Sequence, residues 1–441
     1  MGGARGWRRL VVGAAGVVLA AALVGCGSES PGPVVLHFDT GTQGVSQYRA
    51  AAAACSRASG GRYTIEQRTQ DTGDSNGQRL ALGRRLAAHD PSLDIMELDV
   101  IFTTEFAEAG WILPFPAEVA QQIERGTLPV PVQTGMYRGR LYAAPLSSNI
   151  QLLWYRKDLV PRPPRTWDEM VRMAQDLAAR GLPHYIEVQG KRYEGLTVWF
   201  NTLLASGGGS IVGDNGEVQV AHGDAARRAL AVMARVATSP GADPSLSVRD
   251  ENDDEFAMEA GTAAFEVNYP FAYSQMHTGD GGTFIDQRGL PTSRDTGRRV
   301  KDVFGWAAYP SVVAGMPARV TIGGINFGVG ATSPHPAEAF EAAQCLRNRD
   351  SQLAHAMAVG RPPTLAALYD DPALRRSYPE WQAIRDALDD ASTRPRTPAY
   401  NSISIVIADL LNPPAKINPS ALVPRLADQI TKAVTSQGLI P

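Results

Sequence analysis

The stretch from residue 34 to residue 99 alternates strand-like and helix-like runs, and this alternation constrains the fold more than any other feature of the chain. "VVLHFDT" (34–40) is a short apolar run that predicts a strand. "VSQYRAAAAACSRAS" (45–59) has helical composition, and "RYTIEQR" (62–68) alternates at the strand period of two. "GQRLALGRRLAAHD" (77–90) brings Leu80, Leu82 and Leu86 near one face of a helix, and "LDIMELDV" follows as a third strand. Strand–helix–strand–helix–strand order implies a parallel sheet with helices packed on it, so the fold class is α/β.

The rest of the chain repeats this logic. "RLYAAPLSSNIQLLWYR" (140–156) reads as two extended pieces around a turn, and "TWDEMVRMAQDLAARG" (166–181) as a helix with a Thr N-cap and a Gly stop. Strands are expected in "PHYIEVQG", "VFGWAAYP" and "VTIGGINFGVG", and helices in 195–209, 224–238 and 335–348. "GTAAFEVNYPFAYSQM" (261–276) passes from strand to aromatic loop, 278–301 reads as an exposed loop, and the tail from 370 to about 435 is mostly helical. With 441 residues, 44% hydrophobic and 20% charged, the chain can build a large core in two or three domains. Two α/β lobes are expected, with the chain crossing between them more than once. The formal net charge of −3 gives no support for a nucleic-acid partner.

The N-terminus carries a processing signal. Arg5, Arg8 and Arg9 precede "LVVGAAGVVLAAAL" (10–23), which is shorter than the roughly 20 residues that span a bilayer. The run ends in "LVGC" (23–26), which resembles a bacterial lipobox, so residues 1–25 are expected to be a lipoprotein signal peptide and Cys26 the lipidated residue. "GSESPGP" then gives a flexible tether, 26–33. The remaining cysteines, Cys55 and Cys345, are either a disulfide, which an exported compartment permits, or two buried thiols.

Enzymatic motifs are weak. "GDSNG" (73–77) matches G-x-S-x-G, but its serine lies in a long polar loop rather than on a strand-to-helix elbow. The seven histidines are scattered and no phosphate-binding loop is present. The acidic run "RDENDDEF" (249–256) lacks calcium-loop spacing and reads as a solvated loop. Asp99, Glu194 and Glu266 could be drawn as a glycosidase pair, but sequence does not set their separation. No catalytic residue, metal or cofactor is expected. Asp99 itself, at the end of an apolar strand in "IMELDVIFTTEFAEAGW", could cap a turn, act as an acid or hold a ligand.

Across nearly the whole mature chain, a set of motifs carries a resemblance: "LDIMELDVIFTTEFAEAGW", "LYAAPLSSNIQLLWYR", "EGLTVWFNTLLASGGG", "FEVNYPF", "ARVTIGGINFGVG", "EAFEAAQCLRN" and "STRPRTPAYNSIS". With the lipobox, they make the chain resemble the sugar-binding lipoproteins of ABC importers (extracellular solute-binding proteins, family 1), and most closely the trehalose-binding lipoproteins of mycobacteria. The resemblance implies a two-lobed periplasmic-binding-protein fold with a ligand cleft between the lobes and hinge crossovers. It places lobe 1 at 34–145 and 310–350, and lobe 2 at 146–309 and 351–441. It also implies a disaccharide ligand, two permease subunits with a cytoplasmic ATPase behind them, a monomeric chain, and a lipid anchor on the outer face of the plasma membrane. Cys55 and Cys345 fall where that family places its cysteines.

The residues it picks out suit sugar chemistry. A carboxylate can accept from two adjacent hydroxyls, an arginine fork can donate to two, and aromatic rings cover the C–H faces. Carried over, Asp99 binds hydroxyls, Asn149 donates and accepts, Glu266 supplies a second carboxylate, Tyr269 stacks, and Arg394 is the cleft arginine. Thr42, Gln43 and Gln78 are expected edge contacts, while Gly323 and Gly324 let backbone approach the sugar or serve as turn glycines. Two departures bear on specificity. Tyr269 stands where the mycobacterial pattern has Trp, and Gln43 stands where an acidic residue is usual. Trp199 is read as core.

Overall fold

The structure, a computed structural model, describes residues 33–72, 75–213, 216–276 and 303–435. The lipobox with Cys26 and the stretch 278–301 lie outside the described residues.

The 34–99 alternation folds as its pattern dictates. Strands β1 (Val34–Thr40), β2 (Tyr63–Thr69) and β3 (Ile95–Asp99) pair in parallel, with β1 between the other two. A small hairpin, β4 (Met136–Tyr137) and β5 (Arg140–Leu141), precedes β6 (Ala143–Asn149) and β7 (Leu152–Arg156). These are followed by β8 (Tyr185–Glu187), β9 (Ala263–Asn268), β10 (Phe304–Ala307) and β11 (Gly323–Val329). The first large sheet has the order β2-β1-β3-β11-β6, and the second β10-β7-β9-β8. β6 belongs to the first sheet through Asn149, and only Ile150 and Gln151 separate it from β7 in the second. The return crossing runs from β10 to β11. A third strap passes at Ser392, which bridges Thr321.

Helix 45–58 turns Tyr48, Ala52 and Cys55 onto the first sheet at the i, i+4, i+7 spacing of one helical face. There Phe38 meets Phe327 edge-on, with ring centroids 5.1 Å apart. Helix 336–346 packs into the same core, and Cys55 is bonded to Cys345 with their Cα atoms 5.9 Å apart. The sequence left bridge or buried thiols open; the structure has the bridge.

The second core centres on helix 194–206, buried on all sides: its apolar residues pack into the core, and its polar ones are hydrogen-bonded, Asn201 and Thr202 to the Thr321 hydroxyl. Its Trp199 packs against Trp167, centroids 6.0 Å apart, at the start of helix 167–179. That helix begins as expected, with the Thr166 hydroxyl accepting from the Glu169 N–H at 3.1 Å. Among the described residues no helix is long and apolar enough to cross a membrane.

Two local readings are corrected. The acidic run is a helix, Glu251–Glu259, started by a capping box between Asp250 and Asp253, and its Asp254, Glu255 and Glu259 are buried rather than solvated. Beyond β9 the chain forms a short helix, Phe271–Met276, rather than an aromatic loop.

Two outcomes follow. Replacing Cys345 by Ser releases a constraint between residues 290 apart in sequence, and chemical denaturation should show a loss of about 2–5 kcal/mol. Gly324 has φ +137°, and a Cβ there would stand 2.2 Å from the Ser147 carbonyl oxygen. Gly324→Ala should therefore cost at least about 1–3 kcal/mol in the same assay; an unchanged midpoint would show that the crossing relaxes freely.

Candidate functional site

Strand direction brings the site together. Thr40 and Asp99 end β1 and β3, Asn149 ends β6, and antiparallel β11 begins at Gly323, opposite Asn149. All four positions therefore lie along one edge of the first sheet, where open α/β sheets place their ligands. In the second sheet β9 ends at Asn268, opposite the start of β7 at Leu152, and the next residue is Tyr269. A cavity of about 820 Å³ lies between these edges.

At its centre is Arg394, almost completely buried. Its Nη1 donates to Glu194 Oε1 at 2.7 Å, and its Nη2 stands 3.5 Å from Asp99 Oδ1. Glu194 also accepts from the hydroxyls of Tyr400 and Ser404. Burial alone would make Arg394 easier to deprotonate, but Asp99, Tyr400 and Glu194 together raise its pKa above the ordinary arginine value. Asp99 resolves its own question in two ways. Its Oδ1 accepts from the Ile101 N–H at 3.2 Å, capping the turn that follows β3, and its carboxylate also lines the cavity, where Ser75 donates to Oδ2 at 3.0 Å. The cap fixes the rotamer, and the cavity uses it.

On the first-sheet wall, Arg361 donates through Nη2 to Gln43 Oε1, and its Nη1 lies 3.9 Å from the buried Glu97. Burial raises the Glu97 pKa above the usual carboxylate value, partly offset by Arg361 and by the Gly41 N–H that donates to it at 2.8 Å. Asn149 lines the cavity with a buried Oδ1 that has no hydrogen-bond partner among the described residues. On the opposite wall Tyr269 is buried with its ring against the cavity, and burial, then Glu251, pushes its phenol well above the ordinary tyrosine value.

Asp99, Asn149, Tyr269, Arg394, Gln43, Gly323 and Gly324 thus line one cavity. Glu266 does not. It lies within β9, three residues before Tyr269, is fully buried, and accepts through Oε1 from Asn268 Nδ2; a side chain that far inside a sheet cannot reach the ligand edge. Gln78 is also outside, its amide turned onto the Glu97 carbonyl at 3.2 Å. Thr42, in the bend after β1, is exposed and leaves the wall to Gln43. Ser75 of the G-x-S-x-G match opens helix 75–87, and its hydroxyl donates to the Asp99 carboxylate that caps the turn after β3.

Sequence reasoning missed Arg361, Tyr193, Glu251, Asn401 and Ser404, and Glu194 had been weighed only as a glycosidase carboxylate. The start of an apolar helix at Glu194 was a readable signal, because a helix whose body is buried presents its first turn at the rim of its lobe. Nothing local marks Arg361. The arrangement offers fixed acceptors, forked donors and a ring face, a set suited to a hydroxyl-rich ligand with an apolar side.

A curated relative in Deinococcus radiodurans, described as a probable ABC transporter-binding protein, is 27% identical over 391 residues, covering 84% of this chain and 86% of the relative. Maltose-bound MalE3 of T. maritima superposes with a TM-score of 0.75 at 25% identity, covering 90% of this chain and 99% of that one. The GacH receptor of Streptomyces glaucescens, solved unliganded and with acarbose, gives a TM-score of 0.74 at 20% identity over 91% of this chain and 99% of its own, a likeness of fold. The family model for bacterial extracellular solute-binding proteins matches residues 61–353, most of the described chain, and the protein belongs to that family.

Proposed function

We propose that the chain is the extracytoplasmic substrate-binding lipoprotein of an ABC sugar importer. It captures a disaccharide between its lobes, trehalose being the first candidate, and passes it to two permease subunits driven by a cytoplasmic ATPase. The observation that carries this reading is the convergence of Asp99, Arg394 and Asn149 with the ring of Tyr269 on one cavity. Asp99 and Asn149 accept from sugar hydroxyls, the arginine fork donates, and the ring takes a C–H face. The three lobe crossings act as the hinge, and a ligand touching both walls favours the closed form by its differential affinity.

The electrostatics favour a neutral ligand. Among the described residues, each arginine lining the cavity already faces a carboxylate: Arg192 pairs with Asp409 at 2.6 Å, Arg361 faces Glu97, and Arg394 lies between Asp99 and Glu194. No cation is left over for a phosphate, so a glycerophosphodiester fits less well than a sugar. A maltose-type ligand is the second reading, supported by the likeness to maltose-bound MalE3. The smaller ring at Tyr269 and the amide at Gln43 are the positions that would separate the two. Cys26 anchors the monomeric chain to the outer face of the plasma membrane.

Calorimetric titration of the chain lacking residues 1–26 against trehalose, maltose and sucrose should give saturable heat with one of them; silence with all three would remove the disaccharide. Asp99→Ala should weaken that binding by roughly 2–4 kcal/mol, because it strands sugar hydroxyls and leaves Arg394 with one partner fewer. Unchanged affinity would take Asp99 out of the site. In cells, Cys26→Ala should move the protein from the membrane fraction to the medium, and retention in the membrane fraction would disprove the anchor.

A further inference from the structure

Behind the Tyr269 wall, the described part of the second lobe buries several carboxyl groups close together. Glu187 on β8, Glu266 on β9, and Asp254 and Glu255 on helix 251–259 are all buried, together with Asp243. Among the described residues, the cation beside them is Arg249, which donates to Asp243 at 2.8 Å and lies 3.3 Å from Glu187. The other neighbours are amides. Gln151 donates to Gln189, and Gln189 donates to Asp254 Oδ2 at 2.8 Å and to the Val267 carbonyl. Acceptors remain in surplus: both oxygens of Glu187 and Glu255, one each of Asp254 and Glu266, and the Gln151 carbonyl lack a hydrogen-bond donor. Buried charges of one sign at this density are not tolerated, and protons shared among the carboxyls supply donors to these oxygens. Among the described residues no group of His, Cys, Asp or Glu is arranged to hold a metal ion.

The cluster is wired to the cleft. Asn268 Nδ2 donates to Glu266 Oε1 and to the Glu251 carbonyl, and Asn268 Oδ1 accepts from the Tyr269 N–H at 2.9 Å. Glu251 and Tyr269 both line the cavity. We propose that this cluster is held together by shared protons and makes the Tyr269 wall alkali-labile: ordered in acid, and loosened as the protons leave. The inference does not depend on which ligand the cleft takes.

Each group points the same way. Burial pushes Glu266 up to about 8, with Glu259 adding to it and Asn268 opposing. Burial, then Glu259 and Glu266, pushes Glu255 up to about 10. Burial also raises Asp254 and Glu187 well above the carboxylate range; Glu187 and Glu266 add to it at Asp254, while Arg249 opposes and Asp243 and Glu266 add at Glu187. A carboxyl that ionises later in the folded chain than in the unfolded one favours the folded state most at low pH. That contribution falls from the usual glutamate value of 4.5 upward, until the folded group itself ionises, near 8 for Glu266.

The test is a set of ligand-free thermal melts from pH 5 to pH 9, with amide exchange followed across residues 263–269. The wild-type melting temperature should fall by roughly 5 °C between pH 6 and pH 9. Exchange at 265–269 should accelerate about tenfold per pH unit beyond the intrinsic base-catalysed rate. Glu266→Gln keeps an acceptor for Asn268 and should flatten both slopes; Glu255→Gln serves the same purpose should the first variant fold poorly. A wild-type melting temperature independent of pH, or an undiminished slope in both variants, overturns the proposal. So does a rise in melting temperature with calcium chloride at pH 8 that a chelator reverses, since that would assign the surplus acceptors to a cation.

Discussion

A guanidinium group taken out of water must be surrounded by acceptors, and Arg394 organises the cleft by that requirement. Its partners come from separate parts of the fold: Asp99 from the end of β3 in the first sheet, and Glu194 from the first turn of the central helix of the second core. Removing either would leave a buried charge short of compensation, a defect costing several kcal/mol. The requirement fixes more than one residue. Glu194 is held by Tyr400 and Ser404 on helix 400–411, and Asp99 by the Ile101 N–H and by Ser75. The cavity walls are therefore set before any ligand arrives, which limits the ordering cost of binding.

Fold class and lobe count were legible because they rest on periodicity. The five runs between residues 34 and 99 became three parallel strands and two helices with nearly the expected bounds. The short turn in "LSSNIQ" became the crossing between sheets. What failed was local polarity. "RDENDDEF" reads as solvated because charged residues are usually exposed, yet tertiary packing buried three carboxyls of its helix against β8 and β9. Nothing in one sequence says that its neighbours will be glutamates on other strands.

The site was legible where strand ends are legible. Asp99, Asn149 and Tyr269 each stand at or just past the end of a strand, and each lines the cavity. Glu266 failed by three residues, because proximity in sequence to a site residue does not put a side chain on the correct edge. Arg361 escaped notice for the opposite reason: it reaches the cavity from a loop after helix 349–359, and its partner Gln43 is 318 positions away. Such pairings are created by topology and leave no local mark.

The place of β11 in the first sheet has a consequence for how the molecule is made. β11 is the neighbour of β3 and of β6, yet among the described residues it is the last strand in sequence. As the chain emerges from the ribosome, β1, β2 and β3 can assemble early, but β3 and β6 stay unpaired on their facing sides until residue 329 has been made. For most of synthesis the nascent protein therefore presents two bare strand edges, the kind of surface that recruits foreign strands or a chaperone. The second core in turn waits for residues 403–430, made after β11, so both cores close late and the chain folds as one unit rather than as two domains that mature in turn.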